Sequence, residues 1–107
     1  MKAQFASLLL LVPTACGLQY YKCESGKKFD YSVVRGYTSE ASYDQIQASD
    51  PLFVGGSTFG AYRFTANRPD GTPTNYLVQS VSVDPYQRIF ELSGSRWRIC
   101  TLLDFVM

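Results

Sequence analysis

Two cysteines, Cys23 and Cys100, stand near the two ends of this 107-residue chain, and a third, Cys16, lies just upstream of them. An even pair in an exported chain reads as a disulfide, so the fate of Cys16 sets the folding problem. Cys16 closes a stretch with the three parts of a secretory signal: the basic start Met1-Lys2, the apolar run Ala6 to Val12, and the small-residue end Thr14-Ala15-Cys16-Gly17. The apolar run is shorter than the about 20 residues a membrane-spanning helix needs. Ala15 and Gly17 place small side chains where a signal peptidase cutting after Gly17 wants them. The expected organisation is a signal peptide over 1–17 and one domain over 18–107, with Cys23 and Cys100 tying the first strand to the last. Closing that loop stabilises by roughly 4 kcal/mol in the chain-entropy model. For a domain of about 90 residues, net stability is only about 5–10 kcal/mol. The competing readings are a buried N-terminal helix and two unpaired buried thiols. Thr14-Ala15-Cys16 also matches the end of a bacterial lipoprotein signal, but Pro13 stands where Leu is wanted.

Loss of the leader removes Lys2 and no acid, so ten basic and nine acidic residues become nine and nine. Chains that grip phosphate backbones usually show a basic excess, which is missing here. A local patch is still open to Arg96 with Arg98, or Arg63 with Arg68.

Leu18 to Cys23 reads as a short strand and Glu24 to Lys28 as a turn. Val34, Tyr37 and Ala41 share a helical face within residues 29–41, with Asp30 as N-cap. Residues 42–58 are polar and irregular, broken by Asp50-Pro51 and Gly55-Gly56-Ser57. A meander follows. Phe59 to Thr65 sets Tyr62 and Phe64 against Arg63 and Thr65 on the opposite face. Pro69-Asp70-Gly71-Thr72-Pro73 turns the chain. Asn75 to Val83 puts Leu77, Val81 and Val83 on one side. Asp84-Pro85 turns again, and Arg88 to Leu92 and Arg96 to Leu102 are joined by the hairpin Ser93-Gly94-Ser95. The expected fold is α+β: a single helix packed on a four- to five-stranded antiparallel sheet.

The chain has no histidine. That removes the side chain best suited to proton transfer near neutrality, along with His-based metal sites and Ser-His or Cys-His pairs. Gly55-Gly56-Ser57 lacks the lysine of a phosphate-binding loop. No cofactor or metal is expected. Carboxylate chemistry remains open to Asp44, Asp50, Asp70, Asp84, Glu91 and Asp104. Turn contexts explain Asp70 and Asp84, and a cross-strand pair with Arg96 or Arg98 explains Glu91.

Tyr21-Lys22-Cys23 directly after the leader, then Gly26, Phe29, a valine-rich helix and Cys100, resembles the ribonuclease-like secreted effectors that powdery-mildew fungi express in haustoria. The resemblance spans the mature chain as a pattern of spaced positions. It implies the fold of the small guanyl-specific fungal ribonucleases, one helix on an antiparallel sheet with a disulfide joining the ends. Gly60-Ala61-Tyr62-Arg63 is similar to the Gly-Ala-Asp-Arg segment of the active enzymes, whose arginine stabilises the phosphate. A pair with a neighbouring acid is the structural alternative for Arg63. Ser49-Asp50-Pro51 is the nearest match to the segment carrying their glutamate base. Their acid histidine follows a strand that resembles Leu77-Val78-Gln79, and Ser80 stands in its place. The resemblance therefore implies a pseudoenzyme, secreted and delivered into the host plant cell. It would bind a host protein to suppress immunity and be recognised by an intracellular leucine-rich-repeat receptor. The expected contact residues are Tyr62, Arg63, Tyr86, Arg96, Trp97 and Arg98, with Tyr43, Phe53 and Phe59 as further exposed or core aromatics. The rival reading is an RNA-binding pseudoribonuclease using Arg63, Arg96 and Arg98 around a degenerate groove. Convergence of those arginines on Tyr or Trp faces favours RNA, and scatter or pairing with acids favours a protein partner.

Overall fold

The computed structural model describes residues 19–104. The expected signal peptide over 1–17, with Cys16, lies outside the described residues. The fold is α+β, one helix on antiparallel sheets with the Cys23–Cys100 disulfide formed at an S–S distance of 2.04 Å.

The meander forms a four-stranded sheet: β1 (Gln19–Lys22) and β2 (Lys28–Asp30) precede it, and β3 (Thr58–Asn67), β4 (Pro73–Val81), β5 (Gln87–Ser93) and β6 (Arg96–Ile99) lie in chain order within it. Its turns follow from their residues. Ser93 pairs with Arg96 across Gly94-Ser95, and Gly94, at φ 62°, takes the left-handed conformation that such a two-residue hairpin requires. Between β3 and β4, Asp70 accepts from the Thr72 amide at 2.9 Å and its hydroxyl at 2.6 Å, an Asx turn that accounts for this carboxylate.

The helix α1 spans Tyr31–Thr38, shorter at both ends than the 29–41 pattern. Phe29 belongs to β2, and Ala41 lies beyond the last turn. Asp30 holds the N-cap position, but its side chain makes no capping hydrogen bond. Val33, Val34 and Gly36 are weak helix formers. The Thr38 and Ser39 hydroxyls donate to the Arg35 and Gly36 carbonyls, each at 2.6 Å, and satisfy acceptors at the helix end. What holds so short a helix is tertiary packing: Val34 is fully buried, and Tyr37 packs on Tyr62 and Phe64 with centroids at 5.6 and 4.5 Å.

The last strand of the sequence pattern divides at Cys100. Its amide still donates to Ile89 at 2.9 Å, but from Thr101 the chain pairs with β1 as β7 (Thr101–Asp104). A second, three-stranded sheet of order β2-β1-β7 results. The disulfide lies where the two sheets meet. The Tyr-x-Cys segment acquires a physical role there: Tyr21 is buried, stacks on Tyr31, and its hydroxyl accepts from buried Gln87 at 2.9 Å.

The main core lies between the helix and one face of the four-stranded sheet and contains Phe29, Val34, Tyr76, Val78, Ile89 and both cysteines. The opposite face carries a smaller cluster, Ala61, Leu77 and Phe90, with Ile46 and Trp97 against it. β4 is therefore covered on both sides. Tyr76, Leu77, Val78 and Gln79 are all buried, whereas Val83, expected to share a face with Leu77, lies past the strand end and is exposed.

Candidate functional site

The sheet face away from the helix carries residues 42–57, laid across it as an irregular strap. It begins at a bridge: Ser42 and Ala61 exchange backbone hydrogen bonds of 3.0 and 3.1 Å. Gly60 permits this approach, because a Cβ there would lie 3.0 Å from the backbone of Ala41 and Ser42. A 3-10 turn, Tyr43–Gln45, follows, with the Ser42 hydroxyl accepting from the Asp44 amide.

Register puts Ala61, Arg63, Leu77, Gln79, Arg88 and Phe90 on this face. Their polar groups turn to the strap. Arg63 donates to the Gln45 carbonyl at 2.6 Å and forms an ion pair with Asp50, whose side chain is 4 % exposed. Asp50 also accepts from the Gln47 amide at 2.9 Å. Buried Gln79 donates to the Pro51 carbonyl at 2.9 Å and accepts twice from Arg88, at 2.6 and 3.0 Å. Arg88 donates onward to the Leu52 carbonyl, and its guanidinium lies between the Phe53 and Phe90 rings, 4.8 and 4.9 Å from their centroids. Burial lowers the pKa of Arg88, and the two rings favour the cation that burial disfavours. At its far end the strap is closed by Ser57 and Ser82, with bonds of 2.8 and 2.9 Å.

A cavity of about 420 Å³ opens between strap and sheet, lined by Tyr43, Ile46, Asp50, Phe53 and Gln79 among others. Tyr43, 75 % exposed, and Leu52, 83 % exposed, stand at its opening, and Val54, further along the strap, is 94 % exposed. A smaller cavity of about 360 Å³ brings Arg63 and Trp97 together with Gln47 and Asn75. The other expected contact residues are elsewhere. Tyr62 faces the helix and stacks between Tyr37 and Phe64. Tyr86 stands half-exposed in the turn after β4. Arg96 and Arg98 are exposed on β6, on the side of the strand away from Trp97, with Arg98 Nε 4.0 Å from Glu24. Phe59 is exposed, and Phe53 lies under Arg88. The arginines scatter, and two of them meet acids. Ser80, where the resemblance sets a histidine, is half-buried opposite Gly60.

A second polar cluster lies on the helix side. Glu91 is 1 % exposed and sits opposite Arg98 in register, yet its carboxylate turns away from that strand. It accepts from the Ser25 hydroxyl at 2.5 Å, the Ser25 amide at 3.1 Å and the Tyr76 hydroxyl at 2.7 Å. This corrects the expected cross-strand pair. A strand-face arginine keeps its charge in water, whereas the Ser25 turn meets the buried carboxylate with two donors. Burial pushes the Glu91 carboxyl up, but the bonds from Ser25 and Tyr76, with the charge of Arg68, leave it below its ordinary value. Burial and the hydrogen bond to Glu91 push the Tyr76 phenol up.

Gln79, Arg88 and the Ser25–Glu91 contact escaped sequence reasoning. A polar residue in the middle of the apolar run Tyr76 to Val81 was the available signal, since a buried amide must find partners. Among the described residues no group of three or more metal-binding side chains converges. No protein-family model matches the chain, and a search of the curated proteins finds no match.

Proposed function

We propose that this protein is a secreted, non-catalytic effector of ribonuclease-like fold that acts by binding a host plant protein through the 42–57 strap. One observation carries the reading. The polar side chains of the site face hold the strap in place, and the strap turns Tyr43, Leu52 and Val54 out to solvent. Arg63 and Asp50, the positions that resemble a phosphate-binding arginine and a base-bearing segment, neutralise each other. Asp50 is engaged by Arg63 and the Gln47 amide, and a serine at position 80 is no acid near neutrality. The partner class, a host immune component or a leucine-rich-repeat receptor, comes from the resemblance. Exposed apolar side chains on one loop are its physical support, since they gain most from burial against another protein.

The RNA-binding reading has less support, because Arg96 and Arg98 lie apart from the Arg63–Trp97 cavity. The test pairs two measurements on the purified mature chain. Guanyl-specific RNA cleavage is expected to stay at background. Capture from host leaf extract is expected with the native chain and to be lost with Leu52→Ser/Val54→Ser, two exposed positions whose substitution is expected to leave the unfolding midpoint unchanged. Measurable turnover, or capture indifferent to the double substitution, overturns the proposal.

A further inference from the structure

We propose that the outer edge of β6 is a docking site for an extended acidic segment of a partner protein, which adds to the four-stranded sheet as one more strand. This surface is separate from the strap and does not depend on it. β6 is the terminal strand of the order β3-β4-β5-β6, and no strand among the described residues pairs with its outer side. Register fixes which backbone groups face out. Ser93 and Arg96 close the hairpin, and at the other end the Cys100 amide donates to Ile89. Hydrogen-bonded pairs alternate along an antiparallel ladder. Arg96, Arg98 and Cys100 therefore turn their N–H and C=O groups toward β5, and Trp97 and Ile99 turn theirs outward. Proline and bulges are absent from β6, and the register shift in this sheet lies between Thr58 and Gly60 on β3. The protections β6 does carry are its four-residue length and two arginines, which discourage indiscriminate pairing and leave the edge to a strand of opposite charge.

Charge selects the occupant. Arg96 and Arg98 are exposed on one side of the strand, and Trp97 and the 55 %-exposed Ile99 are on the other. A second copy docking antiparallel must pair its own outward residues 97 and 99 with these. Pairing Trp97 with either Trp97 or Ile99 of the second copy sets arginine opposite arginine, which is destabilising, and pairing Ile99 with Ile99 leaves only the last residues of the four-residue strand to overlap. A partner strand alternating acidic and apolar residues meets the same edge with opposite charges facing Arg96 and Arg98, the latter in exchange for its exposed 4.0 Å contact with Glu24, and apolar side chains facing Trp97 and Ile99. The backbone supplies affinity and the alternate side chains specificity. Beyond Ile99 lies a cavity of about 480 Å³ lined by Lys22, Glu24, Ile99, Thr101 and Leu103 among others, where an apolar residue at the end of the incoming strand would meet Ile99 and Leu103.

The probe is a capped hexapeptide of alternating glutamate and valine, titrated into the full mature chain at low salt with backbone amide NMR as readout. Shifts and slowed exchange are expected at the Trp97 and Ile99 amides. Arg96→Glu/Arg98→Glu is expected to weaken binding about tenfold or more. Because Arg98 lies opposite Glu91 and 4.0 Å from Glu24, Arg96→Gln/Arg98→Gln, which adds no like charge there, is expected to weaken it several-fold with the unfolding midpoint unchanged. The lysine-for-glutamate peptide is expected not to bind. Methylating the peptide amides that face β6 is expected to abolish binding. The proposal is overturned if the methylated peptide binds equally well, since charge alone then suffices. It is also overturned if sedimentation shows a dimer broken by Arg96→Glu/Arg98→Glu, or if a single-stranded RNA oligomer displaces the peptide from the same amides.

Discussion

The two faces of the four-stranded sheet bury similar strands under different covers. The helix side is closed by Val34, Phe29 and a run of stacked rings, and is bonded to the second sheet through Cys23–Cys100. The strap side is closed by a segment without regular structure, held by hydrogen bonds from Arg63, Gln79 and Arg88 to its backbone. Apolar packing is non-directional and holds a fold. Hydrogen bonds to loop carbonyls are directional and hold a shape. The helix side thus carries the stability of the domain, and the strap side presents a surface.

Breaking the disulfide tests that division most severely. Cys23→Ala/Cys100→Ala is expected to remove about 4 kcal/mol in urea unfolding, the loop-closure value for residues 77 apart in sequence, and to free β1, β2 and β7 first in hydrogen exchange. Ile89→Ala, at a fully buried position on the helix side, is expected to lower stability by about 3 kcal/mol. Arg63→Ala leaves Asp50 buried without its partner. The Arg63 side chain is itself 25 % exposed, so the loss expected is that of a buried acceptor left short of a donor, about 2 kcal/mol, with proteolytic cuts confined to 42–57. Cuts spread through the sheet would instead mean that the two faces unfold together. Glu91→Gln replaces charge-assisted bonds with neutral ones, for about 1 kcal/mol at neutral pH. Its pH signature sharpens the comparison. The folded carboxyl titrates below the unfolded value of 4.5, so its contribution is present above that pH and is lost as pH falls through the folded value. The acid limb of stability should be shallower in the variant than in the native chain, and an unchanged limb would assign it to other carboxylates.

The parts of this fold that sequence reading captured are those with a local cause. Gly94 supplies the left-handed residue that a two-residue hairpin favours, and the Tyr62–Phe64 against Arg63–Thr65 alternation faces the same two ways in the folded sheet. The helix was legible through Val34 and Tyr37 but not its ends, because Phe29 takes its place in β2 from pairing with Tyr21. For the candidate site, Arg63 and Trp97 share a cavity, Tyr62 is partly buried against the helix, and Arg96 and Arg98 stand apart. The spacing of those residues along strands shows which face each takes. It does not show what lies over that face.

The sequence by itself determined the α+β class, the single disulfide pair and the lack of a histidine, since these depend on residue identity and short-range period. Only the tertiary structure decided that the last strand leaves one sheet for another at Cys100, that Asp50 answers Arg63, and that Ser25 rather than an arginine answers Glu91. The reason is distance along the chain. Ser25 and Glu91 are 66 positions apart, and no local pattern records which turn will meet a buried carboxylate once the helix and both sheets have closed.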